Sequence, residues 1–151
     1  DLGVIKFEGI IDRVDEHNGV VRVIDYKTGA APLEYSDMNH VFNREKNQDK
    51  ALQTLLYCWM FKEMSPDYLA EHVDVVPHIY AVRTLAKGKD AETRLRPKNK
   101  SDFSYTTEVE QELKEALINL LREIYNPELA FVPTSEQTRC DTCLFYELCK
   151  G

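Results

Sequence analysis

The feature that most constrains this 151-residue chain is an Asn-Gly pair, Asn18-Gly19, set between two apolar runs, V-I-K-F-E-G-I-I-D-R-V (4–14) and V-V-R-V-I-D-Y-K (20–27). Asn-Gly flanked by such runs is a strong short-range signal for an antiparallel hairpin. If the turn closes tightly, His17 lies opposite Val20 and paired positions sum to 37. Asp12 then faces Asp25, and Ile10 faces Lys27. Side chains two apart on a strand share a face, so Asp25 and Lys27 stand together beside Asp12. Two opposed carboxylates repel each other. The arrangement is tolerable with a cation between them, with one protonated, or on a face open to water. A hard divalent ion such as Mg²⁺ takes a few carboxylates plus waters and phosphate oxygens, and a neighbouring lysine can orient water or stabilise developing phosphate charge. The alternative is a set of solvated or paired charges on an exposed hairpin. The apolar flanks and the position of the carboxylates at the strand ends weigh against it.

The rest of the chain reads as follows. Residues 29–46 are irregular. A helix with a broad apolar face spans 47–63 and stops at Ser65-Pro66. A Val-, Ile- and Tyr-rich strand spans 73–85. A second helix spans 107–125, with Leu113, Leu117, Leu120, Leu121 and Ile124 at helical spacing, a Thr107/Glu110 capping box and a stop at Asn126-Pro127. The order β-β-α-β-α predicts an α+β domain around a hairpin-based mixed sheet. With 43% hydrophobic residues the chain can bury a core, and no apolar run reaches membrane-spanning length. The net charge of −7 carries no global sign of nucleic-acid binding. Residues 83–100, however, carry +5 (Arg83, Lys87, Lys89, Arg94, Arg96, Lys98 and Lys100 against Asp90 and Glu92), leaving −12 elsewhere. That segment is compatible with sequence-independent phosphate contacts or with a solvated loop.

Four cysteines without a secretory leader favour a reducing, cytoplasmic compartment, where clustered thiols more often bind metal than form disulfides. Cys140, Cys143 and Cys149, spaced C-x2-C-x5-C, can converge on one metal with a fourth ligand still required. Cys58, in L-L-Y-C-W-M-F, reads as a small buried hydrophobe. The chain begins D-L-G-V-I-K, without Met, and runs directly into a predicted strand, as a fragment of a longer protein would.

G-I-I-D-R-V-D followed by V-I-D-Y-K-T-G resembles the second and third motifs of the PD-(D/E)XK nuclease superfamily, and most closely its RecB-like branch. A-L-Q-T-L-L-Y continues the match with Gln53 and Tyr57 four apart on one helix face. The resemblance implies a restriction-endonuclease-like mixed sheet with flanking helices and a cysteine-bearing tail. It also implies Mg²⁺ or Mn²⁺ held by Asp12 and Asp25, a catalytic Lys27, and supporting Gln53 and Tyr57. The tail resembles the AddB type, whose three cysteines after the nuclease core join one before it in a 4Fe-4S cluster. Zinc or free thiols are the alternatives for Cys140, Cys143 and Cys149.

On this reading residues 1–135 are a nuclease core and 136–151 an iron–sulfur staple. The core would sit in a helicase–nuclease protein of DNA repair or recombination, with DNA as substrate, a helicase as partner and no membrane. The family's first motif, a His or Glu on a helix upstream of G-x-x-D, has no counterpart here. Glu8 shares a strand face with Asp12 but does not match that motif, and His17 lies in the turn. Little activity is therefore expected from residues 1–151 alone, and the Cys140–Cys143–Cys149 triad is expected to be unfilled or to hold a surrogate such as zinc. Residues 136–151 would then be poorly tied down, or held by Leu144, Phe145 and Leu148. Two rival functions are an idle DNA-binding or assembly module of the same fold and a small zinc-binding domain.

Overall fold

The computed structural model describes residues 3–43, 46, 48–70, 74–85, 93–130, 132–134 and 137–149. Strand β1 (Arg13–His17) turns at Asn18-Gly19 into β2 (Val20–Lys27). Asn18 and Gly19 both have positive φ, 54° and 75°, the backbone of a two-residue turn whose twist matches that of the strands. The pairing runs from His17↔Val20 to Arg13↔Ile24, the predicted register. After the short β3 (Glu34–Tyr35), helices α1 (Met38–Phe42), α2 (Asp49–Met64) and α3 (Pro66–Ala70) lead to β4 (Val75–Ala81). β4 lies parallel to β2 and places Asp25 beside Ile79 and Lys27 beside Ala81. The result is a mixed β1-β2-β4 sheet. Residues 93–95 flank β4, with Ile79 N–H donating to Thr93 O and Leu95 N–H to Pro77 O. α4 (Val82–Leu85), β5 (Arg96–Pro97, parallel to β3), α5 (Thr107–Ile124), α6 (Gln137–Cys140) and α7 (Tyr146–Cys149) complete the chain. This is the α+β, restriction-endonuclease-like arrangement that the sequence predicts.

α2 covers one sheet face. Its Ala51, Thr54, Leu55 and Cys58 are buried at helical spacing, and Val21, Val23, Val75 and Ile79 face them in the same core. Cys58 is fully buried there, as expected of a small hydrophobe, and burial pushes its thiol pKa up. Leu113 and Leu117 bring α5 onto the core, but Ile124 is 45% exposed, so the apolar stripe of α5 loses its packing towards the C-terminus. Among the described residues no helix is long and apolar enough to cross a membrane.

Residues 29–46, read as irregular, carry β3 and the Asp37-capped α1, and three boundaries also differ from expectation. The strand predicted over 4–14 begins only at Arg13, and residues 6–10 are exposed. The ladder stops there because the Tyr26 backbone N–H, which a continuing β1 would bond, donates instead to Asp12 Oδ2 at 2.8 Å. The strand predicted over 73–85 ends at Ala81 and turns into α4. The cap of α5 is Thr106, not Thr107. Thr106 takes the extended conformation and its hydroxyl accepts from Val109 N–H, which leaves Glu110 out of any capping box. Glu110 binds Lys62 and Lys114 instead.

Candidate active site

The C-terminal end of β2 carries Asp25 and Lys27 on the sheet face covered by α2. Asp25 is 2% exposed. Lys27 Nζ donates to Asp25 Oδ1 at 3.0 Å and stands 2.7 Å from Oδ2. The Oδ2 contact is an ion pair by distance but lacks hydrogen-bond geometry, so this buried oxygen has no directed donor. On its other side Lys27 Nζ donates to Gln53 Oε1 at 2.6 Å, and Gln53 Nε2 donates to Tyr57 Oη at 2.9 Å. Gln53 and Tyr57, one turn apart on α2, thus extend a single polar chain from Asp25. Asp12, just before β1, completes the cluster. It is spent partly on the Tyr26 N–H, and it lies near enough to Asp25 for its carboxylate to raise the Asp25 pKa.

The electrostatics follow from this placement. Desolvation raises the Asp25 pKa above the ordinary carboxylate range, Lys27 opposes the shift, and the Asp12 carboxylate adds to it. A buried carboxylate pushed towards protonation, beside a second carboxylate and with an undirected oxygen, is a donor set that fits a hard divalent cation. Among the described residues no third His, Cys, Asp or Glu joins Asp12 and Asp25. Glu8 is exposed and pairs with Lys6, and His17 is an exposed residue at the far end of β1.

The chain matches the PD-(D/E)XK nuclease superfamily over residues 1–150. It belongs to that superfamily. Its members are generally nucleases that use Mg²⁺ or Mn²⁺, and the fold implies DNA as substrate. No curated protein and no solved structure matches the chain. Within the PD-(D/E)XK framework, Asp12, Asp25, Lys27, Gln53 and Tyr57 are the residues that the structure brings together.

The tail is arranged differently. Cys140 is half-buried, Cys143 and Cys149 are exposed, and all three are free. Among the described residues no three His, Cys, Asp or Glu side chains are placed to hold a metal. The thiols as they stand do not fit a cluster. Leu144, Phe145 and Leu148 do not hold the tail either, being 95%, 64% and 80% exposed. In the basic segment, Arg96 pairs with Glu34 and Arg94 lies near Asp102, while Lys98 and Lys100 point to solvent. Lys87, Lys89, Asp90 and Glu92 lie outside the described residues.

Sequence reasoning missed Gly9 of the G-I-I-D run. A Cβ there would stand 2.8 Å from Tyr57 Cε1, a contact that real Cβ atoms do not make, with Met60 beyond it at 3.6 Å. The absence of a side chain lets residues 7–9 lie against α2 where Tyr57 closes the polar chain. Gly9→Ala is expected to destabilise the protein by about 1–3 kcal/mol through overpacking, read as a lower urea midpoint. An unchanged midpoint would show that residues 3–11 lift off α2 at no cost.

Proposed function

We propose that this chain is the metal-dependent DNA nuclease domain, of RecB/AddB type and exonucleolytic, of a helicase–nuclease protein acting in DNA repair or recombination. The observation that carries the reading is Lys27 Nζ held between Asp25 and Gln53 beside a buried, undirected carboxylate oxygen. Asp12 and Asp25 would hold Mg²⁺ or Mn²⁺. When bound, the ion supplies a water of lowered pKa and neutralises phosphate charge. Lys27 is anchored at two points, and its ammonium is placed to stabilise the charge that builds on a scissile phosphate. Gln53, fixed by Tyr57, positions Lys27. The exposed Lys98 and Lys100 would contribute sequence-independent phosphate contacts.

The three tail cysteines would supply three of the four ligands of a 4Fe-4S staple, gathering only when iron is present, since metal binding and local folding are coupled in such sites. The tail's exposed apolar residues would then be covered by other domains of such a helicase–nuclease protein. In a longer protein that supplies the fourth ligand, anaerobic iron and sulfide should generate a brown absorbance that Cys143→Ala removes, and zinc without iron would favour a zinc site.

With only two protein ligands, Mg²⁺ should be held weakly, because it dehydrates reluctantly and wants octahedral geometry. DNA degradation by residues 1–151 is therefore expected to be slow, faster with millimolar Mn²⁺ than with Mg²⁺, and abolished by EDTA. The same shortage of ligands favours one second reading, a catalytically idle DNA-binding or assembly module of this fold. DNA binding with no Mn²⁺-dependent cleavage at any metal concentration would select it.

A further inference from the structure

A hollow of about 410 Å³ lies between residues 7–9 and α2. It shares a wall with the candidate active site, because Gln53 and Tyr57 line it and Gln53 also bonds Lys27. The remaining surface is apolar and aromatic, chiefly Phe7, Leu56, Trp59 and Met60. Phe7 and Trp59 meet edge to face, with ring centroids 5.8 Å apart. The carboxylates on its edge are Glu8 and Asp49, and among the described residues neither lysine nor arginine lines it, although Lys6 pairs with Glu8 and Lys114 Nζ stands 5.2 Å from the centroid of the Trp59 ring.

This chemistry excludes one part of a nucleotide and selects another. Among the described lining residues a phosphate would meet two carboxylates, one of them paired with Lys6, and no cation. A base can stack on aromatic and apolar walls through its π-face whatever its identity, and a carboxylate accepts from an exocyclic amino group such as that of cytosine. The volume falls within the ~300–1,000 Å³ range of ligand pockets.

We propose that this hollow receives one unpaired nucleobase of the strand whose phosphate is presented to Asp12, Asp25 and Lys27. The proposal rests on the nuclease reading and extends it to the form of the substrate. A base within a duplex is stacked and paired and must be taken out of the stack to enter such a site, so a single strand or a frayed end is the ligand that binds without that cost.

Trp59 is the only tryptophan in the chain, and its emission reports directly on the hollow. Pentadeoxycytidylate titrated in EDTA should quench Trp59 saturably, and a blunt hairpin duplex should bind at least tenfold more weakly. Phe7→Ala should weaken the single strand about tenfold, and Phe7→Tyr should restore it, consistent with loss of one stacking partner. Phe7 is 38% exposed on a segment outside the sheet, so its removal leaves the core in place. Mn²⁺ broadening of the Asp12 and Asp25 resonances, followed on the same sample, tests the nuclease reading separately.

Unchanged Trp59 emission with Mn²⁺ bound normally would overturn the base pocket and leave the nuclease. Equal quenching by the blunt duplex would also overturn it. A response to an apolar peptide and none to the oligonucleotide would make the hollow a protein-docking groove instead.

Discussion

Lys27→Met is expected to lower Mn²⁺-dependent DNA cleavage by about 10²–10⁴-fold, the range lost with a single positioned proton-transfer or charge-stabilising group. The side chain is 20% exposed and anchored on both sides, by Asp25 and by Gln53. Methionine keeps the aliphatic stem and loses the ammonium. Gln53 Oε1 and Asp25 Oδ1 would each lose a donor, at a cost of about 1–3 kcal/mol for a buried polar atom left unsatisfied. Asp25 would also lose the interaction that opposes its desolvation, so its pKa should rise further. The informative result is cleavage lost with folding and Mn²⁺ binding retained, measured by circular dichroism and manganese titration. Cleavage at the wild-type rate would remove Lys27 from the chemistry. A Gln53→Ala variant sharpens the assignment. It leaves the lysine present and tethered only through Asp25, so its loss of rate should be smaller than that of Lys27→Met.

What the sequence made legible was local. Asn18-Gly19 set the register of β1 against β2, but the ladder ends at Arg13↔Ile24, one residue short of the predicted Asp12–Asp25 pair; Asp12 is held at the end of β2 by the Tyr26 N–H instead, and Ile10 has no ladder partner. The i,i+4 spacing of Gln53 and Tyr57 placed them on one face of α2, and the contiguous bond from Tyr57 to Lys27 follows once α2 packs on β2. What it concealed depends on contacts distant along the chain. Residues 4–12 are as apolar as a strand, and their failure to pair is decided by the Asp12 carboxylate taking the Tyr26 N–H. Gly9 has a role only because Tyr57, 48 positions later, lies against it. Thr106 and Thr107 are indistinguishable as caps by residue type, and backbone conformation selects the first. The C-x2-C-x5-C spacing permits convergence on a metal, but Leu144, Phe145 and Leu148 are left exposed, and among the described residues the thiols form no metal-holding group.

Asp25→Asn should abolish metal binding and, with it, cleavage. Loss of this ligand should weaken Mn²⁺ by more than about 10²-fold, beyond the 10–100-fold lost with outer-shell partners. The same change should improve the fold at neutral pH in the absence of metal. Desolvation holds the Asp25 pKa above its unfolded value, with Lys27 opposing the shift and Asp12 reinforcing it. A carboxyl whose pKa is raised on folding binds its proton more tightly in the native state. Its contribution to stability is fully present below the unfolded pKa and is lost as pH rises through the folded value. At pH 7 the ionised Asp25 therefore costs stability, and Asn, which cannot ionise, removes the cost. Lys27 still has Gln53 Oε1 at 2.6 Å. Metal reverses the ranking. At about 100 times its dissociation constant Mn²⁺ stabilises the wild type by about 2.7 kcal/mol and leaves the variant unchanged. Urea denaturation from pH 4 to pH 7, with and without Mn²⁺, should show the metal-free variant ahead at pH 7, the gap closing towards pH 4, and the wild type gaining on it once Mn²⁺ is added. A gap independent of pH, or a variant that Mn²⁺ still stabilises, would mean that the strained carboxylate at the end of β2 is not the metal ligand.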